Sequence, residues 1–191
     1  MLRIKFSAGI QFSASKSASS PSARPLYDII PNRMDIKIDN KEIIPFEDFD
    51  LGWRFSKSHN SDISEEELKQ ILPLSERESK RLNKVIDFYE IESNRIFNYQ
   101  QTDWFRSSQE NDEKIENFRS NLTHKLSKFD EDLIISWNRR TTLKTNKTIF
   151  LKYWTDFLYP SSDDVTIISE KTNWILFFSH YEVSNLWIKK Q

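Results

Sequence analysis

The sequence predicts an α+β fold, an antiparallel sheet of about four strands with one aromatic helix packed on it and amphipathic helices before it. Three short apolar runs close the chain, at 165–169, 174–179 and 183–189, and their length and residue types are typical of strands. A run at 133–137 has the same character, whereas the wide apolar stripe over 146–159 is typical of a helix. The order of strand, helix and three strands favours an antiparallel sheet with a helix on one face.

Two amphipathic helices are predicted on the N-terminal side of the sheet. A capping-box pattern, serine followed three residues later by glutamate, occurs at Ser64 and Glu67 and again at Ser75 and Glu78. In such a box the two side chains satisfy backbone N–H groups that the first helical turn leaves unpaired. The pattern predicts a short helix over 65–71 and, with apolar residues at the 3.6-residue spacing, a longer helix over 76–90.

The segments between these elements have weaker patterns. Residues 34–58 alternate short apolar pairs with acids, which predicts an extended arm with a short strand around Trp53. Further on, apolar residues recur at a spacing of three to four, at Ile115, Phe118, Leu122 and Leu126. They predict a helix that packs loosely on the core.

Length and composition limit the number of domains and the kinds of partner. A chain of 191 residues with 37% hydrophobic residues suffices for one core, and we expect a single domain over 34–191. Residues 1–33, rich in Ser and Ala, are expected to be a disordered leader or a non-native extension, or else a transit-peptide-like targeting segment. The net charge of -1 argues against a nucleic-acid partner, and no apolar run approaches the roughly 20 residues of a membrane span.

The scarcity of two residue types excludes several classes of site. Without cysteine the chain lacks the sulfur of thiol nucleophiles, disulfides and thiolate metal sites, and a cytoplasmic location is expected. Only two glycines occur, at Gly9 and Gly52, so the chain contains neither a P-loop nor a dinucleotide-binding turn. The histidines, His59, His124 and His180, do not stand at a metal-binding spacing. We therefore expect no cofactor and no metal, and enzymatic activity is disfavoured.

Four sequence blocks follow one another along the chain. They are a W-x-F element, the segment EELKQILPLSE, an aromatic segment and an acid pair, at Trp53 with Phe55, at 66–76, at 150–159 and at Asp163 with Asp164. With the closing hairpins they resemble an uncharacterised, mainly proteobacterial family of domains of unknown function, over most of 43–190. The glycines that this family has in its hairpins are absent here. The resemblance implies a fold, and it assigns no activity and no functional residue.

The acid pair Asp163–Asp164 is a first, weak candidate for a binding site. Two neighbouring carboxylates between a helix and a strand suit a divalent cation or acid–base chemistry. The alternative is a turn in which Asp and Ser side chains, including those of Ser161 and Ser162, hydrogen-bond to nearby backbone. The turn is favoured because the sequence contains no further cluster of potential ligands.

Arg139 and Arg140 are a second candidate. Their planar guanidinium groups suit a carboxylate or a phosphate on a ligand or partner. The alternative is a set of surface ion pairs with the acids at 130–132, each worth at most about 1 kcal/mol. These surface pairs are the favoured interpretation.

Tryptophans outside the predicted core form the third candidate. Trp53, Trp104 and Trp187 fall in segments that a small core does not fully cover, and exposed aromatic residues are enriched at protein interfaces. The alternative, that all three belong to the core, is the favoured interpretation. We include Trp187 among the candidate ligand- or partner-binding residues.

These observations together predict a small, non-enzymatic bacterial protein that binds another protein through an acidic and aromatic surface. One concrete version of such a protein, by analogy, is an immunity or antitoxin-like protein. The alternative is a small enzyme in which Asp163 and Asp164 act on an anionic substrate held by Arg139 or Arg140. A third possibility, an organellar protein, depends wholly on residues 1–33.

Overall fold

The described part of the chain folds around one antiparallel sheet of eight strands. The computed structural model describes residues 36–59, 61–93 and 99–190, with the side chains of all of these except 88–93. The strands are β1 (Leu72–Pro73), β2 (Tyr99–Gln101), β3 (Phe105–Arg106), β4 (Asp132–Ser136), β5 (Thr142–Asn146), β6 (Val165–Ser169), β7 (Trp174–Ser179) and β8 (Val183–Lys189). The helices are α1 (Glu65–Leu68), α2 (Glu76–Ser93), α3 (Asp112–Lys125), α4 (Lys147–Lys152) and α5 (Trp154–Phe157).

The prediction of a sheet of about four strands is wrong, although the fold is still broadly α+β. The strands lie in the order β1-β5-β4-β6-β7-β8-β2, and β3 pairs with β8 next to β2. Every pairing is antiparallel. The four predicted strands are β4, β6, β7 and β8, and the other four extend the sheet on both sides.

The four additional strands lack a sequence pattern because they are short or polar. Two of them have two residues each and a third has three. The fourth, β5, has the sequence TLKTN, in which Leu143 is the only aliphatic residue. All five residues of β5 nevertheless pair with β4. Strand conformation here depends on a neighbouring strand, which a local pattern does not encode.

The predicted aromatic helix over 146–159 consists of two short helices, α4 and α5, that meet at Tyr153. This residue has φ of −115° and ψ of 26°, so it ends the first helix and precedes the second. Phe150, Trp154 and Phe157 are all fully buried. So wide a stripe of large side chains exceeds one face of a straight helix, and the break at Tyr153 lets both halves face the sheet.

Each face of the sheet carries its own hydrophobic cluster, because side chains alternate along a strand. The larger cluster contains Leu133 and Ile135 of β4 and the apolar side chains of α3, α4 and α5. Ile134, between them, belongs to a smaller cluster on the other face, together with Leu82 and Ile86 of α2. The predicted loose packing of the helix over 115–126 is wrong, because this helix, α3, contributes fully buried side chains to the larger cluster.

The N-terminal arm is built from short 3₁₀ turns, and the predicted strand around Trp53 is wrong. The turns span Asn40–Glu42, Phe46–Asp48, Gly52–Phe55 and Lys57–His59. Trp53 lies in the third of them. Phe49 and Phe55 are buried in the larger cluster, so this part of the arm covers the same face of the sheet as α4 and α5. Ile36 and Ile43, earlier in the arm, pack in the smaller cluster on the other face.

The two predicted capping patterns differ in how completely they form. At α1 the box is complete: the Ser64 hydroxyl accepts the Glu67 N–H at 3.3 Å, and the Glu67 carboxylate accepts the Ser64 N–H at 3.1 Å. At α2 the Ser75 hydroxyl accepts the Glu78 N–H at 3.2 Å. The Glu78 carboxylate bonds instead to Arg81, one turn along the helix. The predicted helix over 65–71 ends early, at Leu68.

None of the helices described is both long enough and apolar enough to cross a membrane. The predicted leader, residues 1–33, lies outside the described residues. The assignment of 34–191 to a single domain stays a prediction.

Candidate functional site

Asp163, the first acid of the predicted pair, forms a buried ion pair with Arg54. The two Nη atoms of Arg54 lie 2.5 and 3.1 Å from the two carboxylate oxygens, and each side chain is only 7% exposed. Asp163 also accepts the Tyr159 N–H at 3.0 Å and the Ser162 hydroxyl at 3.0 Å. The bidentate pair therefore connects the N-terminal arm to the turn that follows α5.

Aromatic rings surround the guanidinium group of Arg54. Its central carbon lies 4.4 Å from the ring centroid of Tyr159, 5.4 Å from that of Trp53 and 6.0 Å from that of Trp137. Arginine suits such a place because its planar cation is weakly hydrated and stacks on aromatic faces. Among the described residues the buried Nε atom has no hydrogen-bond partner. Arg54 and Asp163 thus form a charged core beneath an aromatic layer.

Asp164, the second acid, connects the same turn to the β7–β8 hairpin. Its carboxylate accepts the His180 N–H at 3.1 Å and lies 2.9 Å from the His180 Nδ1 atom. Partial burial raises the pKa of Asp164, but the hydrogen bonds from His180 outweigh it and hold the pKa below its usual value. The Ser161 N–H donates to the His180 carbonyl at 3.1 Å, so backbone and side-chain bonds hold the turn and the hairpin together.

Exposed aromatic side chains flank this turn on both sides. Trp53 is 43% exposed, and its ring centroid lies 4.6 Å from that of His59 and 5.6 Å from that of Tyr159. On the hairpin side Tyr181 is 73% exposed and lies 4.0 Å from the ring of His180. We call these five residues the aromatic surface. Hydrogen bonds of Asp163 and Asp164 hold the turn beneath these rings. Asp163 is buried, whereas Asp164 is itself exposed.

The other two candidate tryptophans lie elsewhere. Trp104, between β2 and β3, is 54% exposed and meets the Phe177 ring edge-on at 6.2 Å between centroids. Trp187 on β8 is partly buried and packs against the smaller hydrophobic cluster, opposite Ile175 and Gln101. Trp187 is thus the least exposed of the three predicted tryptophans.

Neither candidate arginine forms an ion pair with the two candidate aspartates. The Arg140 Nε atom is 3.5 Å from a carboxylate oxygen of Glu76, at the start of α2. Arg139 is exposed, and no ion pair of its side chain occurs among the described residues. Neither arginine contacts the acids at 130–132: in that segment Asp132 pairs with Lys144 at 3.0 Å. Asp163, Asp164 and Arg140 thus each pair with a different residue, and none of them pairs with another of the four predicted charged residues.

A separate cleft of about 600 Å³ lies along α4 and α5. Asp156 lines it and accepts the Ser61 hydroxyl at 2.6 Å. Burial raises the pKa of Asp156, and the negative charge of the neighbouring Asp62 adds to this effect. Hydrogen bonds from Ser61 and Thr155 lower the pKa by less, so the net shift is upward. A half-buried carboxyl of this kind is a candidate proton donor.

Beside this cleft Glu67 and Lys152 are strongly stabilised in their charged forms. Hydrogen bonds from Lys152, Tyr153 and Ser64 lower the pKa of Glu67 to about 2. The bonds to Glu67 and Tyr153 raise the pKa of Lys152 to about 12. Both pKa values are moved away from neutrality, as in a structural ion pair and unlike a proton-transfer pair.

Sequence reasoning missed Arg54 and Asp156. Arg54 occupies the middle position of the W-x-F element, and a charged residue between two aromatic residues is a signal that a buried partner is needed. Asp156 lies inside the aromatic segment, where the sequence pattern places it on the polar face of the predicted helix. No group of three histidine, aspartate or glutamate residues in the described ranges is arranged to hold a metal ion.

Comparison with known proteins identifies one family. Residues 43–185 match the family model described as "Protein of unknown function (DUF2947)". No curated protein and no solved structure matches the chain. The predicted resemblance to a family of domains of unknown function is confirmed at this level, while bacterial origin and the four-block pattern stay predictions. The matched range contains both Arg54 and Asp163.

Proposed function

We propose that this chain, which belongs to the DUF2947 family, is a non-enzymatic protein-binding module that docks its partner on the aromatic surface. One observation carries the proposal. Two of the three large hydrophobic side chains that are exposed in the described residues, Trp53 and Tyr181, flank the same turn. Trp and Tyr are enriched at the energetic centres of protein interfaces.

Preorganisation of the surface supports this proposal. The turn beneath it is held by the bidentate bonds of Asp163 and by the bonds of Asp164 to His180. Rings that are already fixed lose little conformational entropy when a partner binds. In this proposal the buried Arg54–Asp163 ion pair contributes to binding, because it holds the exposed rings in place.

The finer form of the proposal is a cytoplasmic bacterial protein of the immunity or antitoxin type. The absence of cysteine suits a reducing compartment, and a compact acidic and aromatic surface suits a single protein partner. This form rests on analogy between small binding proteins, and it predicts that the partner is one protein bound at a fixed stoichiometry.

Capture from the lysate of the native host tests the proposal. The bait is the tagged chain, compared with a double variant, Trp53→Ala with Tyr181→Ala, and with the control Trp104→Ala. Trp104 is also an exposed tryptophan, but it lies outside the aromatic surface. We expect one stoichiometric partner with the wild type and the control, and none with the double variant. Absence of a stoichiometric partner, or equal loss with the control, contradicts the proposal.

A small carboxylate-dependent enzyme is the second candidate, and the raised pKa of Asp156 in its cleft is the observation that favours it. Arg119 and Lys152 line the same cleft and suit an anionic substrate. A screen of phosphate and carboxylate esters with wild type and Asp156→Asn tests this function. Turnover that the variant loses supports the enzyme, and equal background rates for both proteins remove it.

A further inference from the structure

We infer that the partner presents an arginine-rich, cationic segment to the aromatic surface, an inference that rests on the proposed function. The first argument is the charge beside Trp53. Glu47 and Asp48 lie on the 3₁₀ turn that precedes Trp53, and Asp50 follows that turn. All three acids are exposed, and no cation pairs with them in the described part of the chain. The exposed lysines of the same arm are Lys37 and Lys41, before these acids, and Lys57, after them.

A small cleft lined by two of these acids also has an excess of negative charge. Its volume is about 200 Å³, and its charged lining residues are Asp48, Asp50, Glu76 and Arg140. Three carboxylates thus face one guanidinium group, and that group already contacts Glu76 at 3.5 Å. The carboxylates of Asp48 and Asp50 therefore remain without a counter-charge in this cleft. They attract a cationic partner and repel an anionic one.

The molecule itself contains an example of the recognition that we infer. The guanidinium of Arg54 stacks on Tyr159 at 4.4 Å while Asp163 accepts two hydrogen bonds from it. Trp53, with exposed acids three and five residues before it, offers the same two components to solvent, an aromatic face and carboxylates. A planar guanidinium satisfies both at once, whereas the ammonium of lysine is a more strongly hydrated point charge. Arginine is therefore the preferred contact.

Peptide titration of the full chain tests this inference. The probes are hexa-arginine, hexalysine and hexaglutamate, and the readout is the NMR resonance of the Trp53 indole N–H, assigned with Trp53→Phe. We expect hexa-arginine to shift this resonance, hexalysine to bind about three- to tenfold more weakly, and hexaglutamate to have no effect. Raising the salt from about 50 to 300 mM should weaken hexa-arginine binding by about tenfold, because exposed charges are screened.

Two triple variants separate local recognition from net charge. Glu47→Gln with Asp48→Asn and Asp50→Asn removes the inferred contacts. Asp103→Asn with Glu113→Gln and Asp130→Asn removes three exposed charges outside the aromatic surface. We expect the first to lose at least about tenfold in hexa-arginine affinity and the second less than about twofold.

Three results overturn the inference: no shift of the Trp53 resonance up to about 1 mM hexa-arginine, equal binding of hexaglutamate, or equal losses in the two triple variants. Failure of the inference is distinguishable from failure of the proposed function. If the capture experiment yields a partner that the Trp53→Ala, Tyr181→Ala double variant loses while the peptides fail, only the cationic character of the partner is wrong.

Discussion

Arg54 and Asp163 lie 109 residues apart in the chain and meet as a bidentate ion pair in which each side chain is 7% exposed. The pair connects the 3₁₀ turn that carries Trp53 with the turn that carries Asp164, and hence with His180 and Tyr181. A structural contact at the base thus determines the geometry of the exposed rings.

Arg54→Met should destabilise the protein by about 3–5 kcal/mol, because it leaves the buried carboxylate of Asp163 without its counter-charge. Urea unfolding followed by circular dichroism measures the change. The double variant Arg54→Met with Asp163→Leu removes both charges and should cost less than the single variant. A loss below about 1 kcal/mol for Arg54→Met alone would show that the pair contributes little.

The strands that follow an apolar pattern could be predicted from the sequence, and those that depend on neighbours could not. β6, β7 and β8 have the predicted bounds, because runs such as WILFFS are buried on both faces. By contrast, Leu72–Pro73 is a strand only because β5 lies beside it. The helix break at Tyr153 was missed for a related reason, since six large residues on one stripe give a helical period whether or not the helix is continuous.

The candidate site was predictable only in part. The acid pair drew attention because two neighbouring carboxylates are conspicuous, but its partners lie far away in sequence. Nothing local to Asp163 indicates Arg54, and nothing local to Asp164 indicates His180. Exposure of Trp53 and Tyr181 likewise depends on which segments cover the core, which is decided by the tertiary fold. The sequence alone therefore pointed to Asp163 and Asp164, but it could not indicate which residues they contact.

Glu67 should titrate with a pKa of about 2, against its ordinary value of 4.5. Because the folded-state pKa is lowered, its bonds to Lys152, Tyr153 and Ser64 stabilise the fold above pH 4.5, and this contribution is lost as the pH falls towards 2. Carbon-13 NMR of the side-chain carboxyl group measures the midpoint.

Lys152→Met should raise the pKa of Glu67 part of the way towards 4.5, because the bonds from Tyr153 and Ser64 remain. The control is Lys69→Met, whose lysine pairs with the exposed Glu66 at 2.9 Å and should leave the Glu67 midpoint unchanged. A wild-type midpoint near 4.5, or equal effects of the two lysine variants, is inconsistent with the network at Glu67.

Glu182→Gly should stabilise the protein by about 0.5–1 kcal/mol, because Glu182 has a φ of 57° in the β7–β8 hairpin and only glycine adopts this region without steric cost. Thermal or urea unfolding measures the gain. Glu182→Ala keeps a Cβ atom and removes the same carboxylate, so it should give no such gain. Equal stability of the Gly and Ala variants would contradict the argument from φ.

Trp154→Ala should cost about 3–5 kcal/mol, whereas Trp104→Ala should cost less than about 1 kcal/mol. Trp154 is fully buried, and its ring lies 4.4 Å from that of Phe118, so its removal leaves a cavity between α3 and α5. Trp104 is 54% exposed. Urea midpoints rank the two variants, and similar losses would mean that the larger cluster does not dominate stability.

In the proposed complex the partner docks on the rings above the Arg54–Asp163 pair. Calorimetric titration of the purified, captured partner into wild type, Trp53→Ala and Trp104→Ala measures how much these rings contribute to binding. We expect Trp53→Ala to lose at least about 2 kcal/mol of binding free energy, roughly 30-fold in Kd, while Trp104→Ala binds like the wild type. Unchanged affinity of Trp53→Ala, or an equal loss in Trp104→Ala, would contradict the claim.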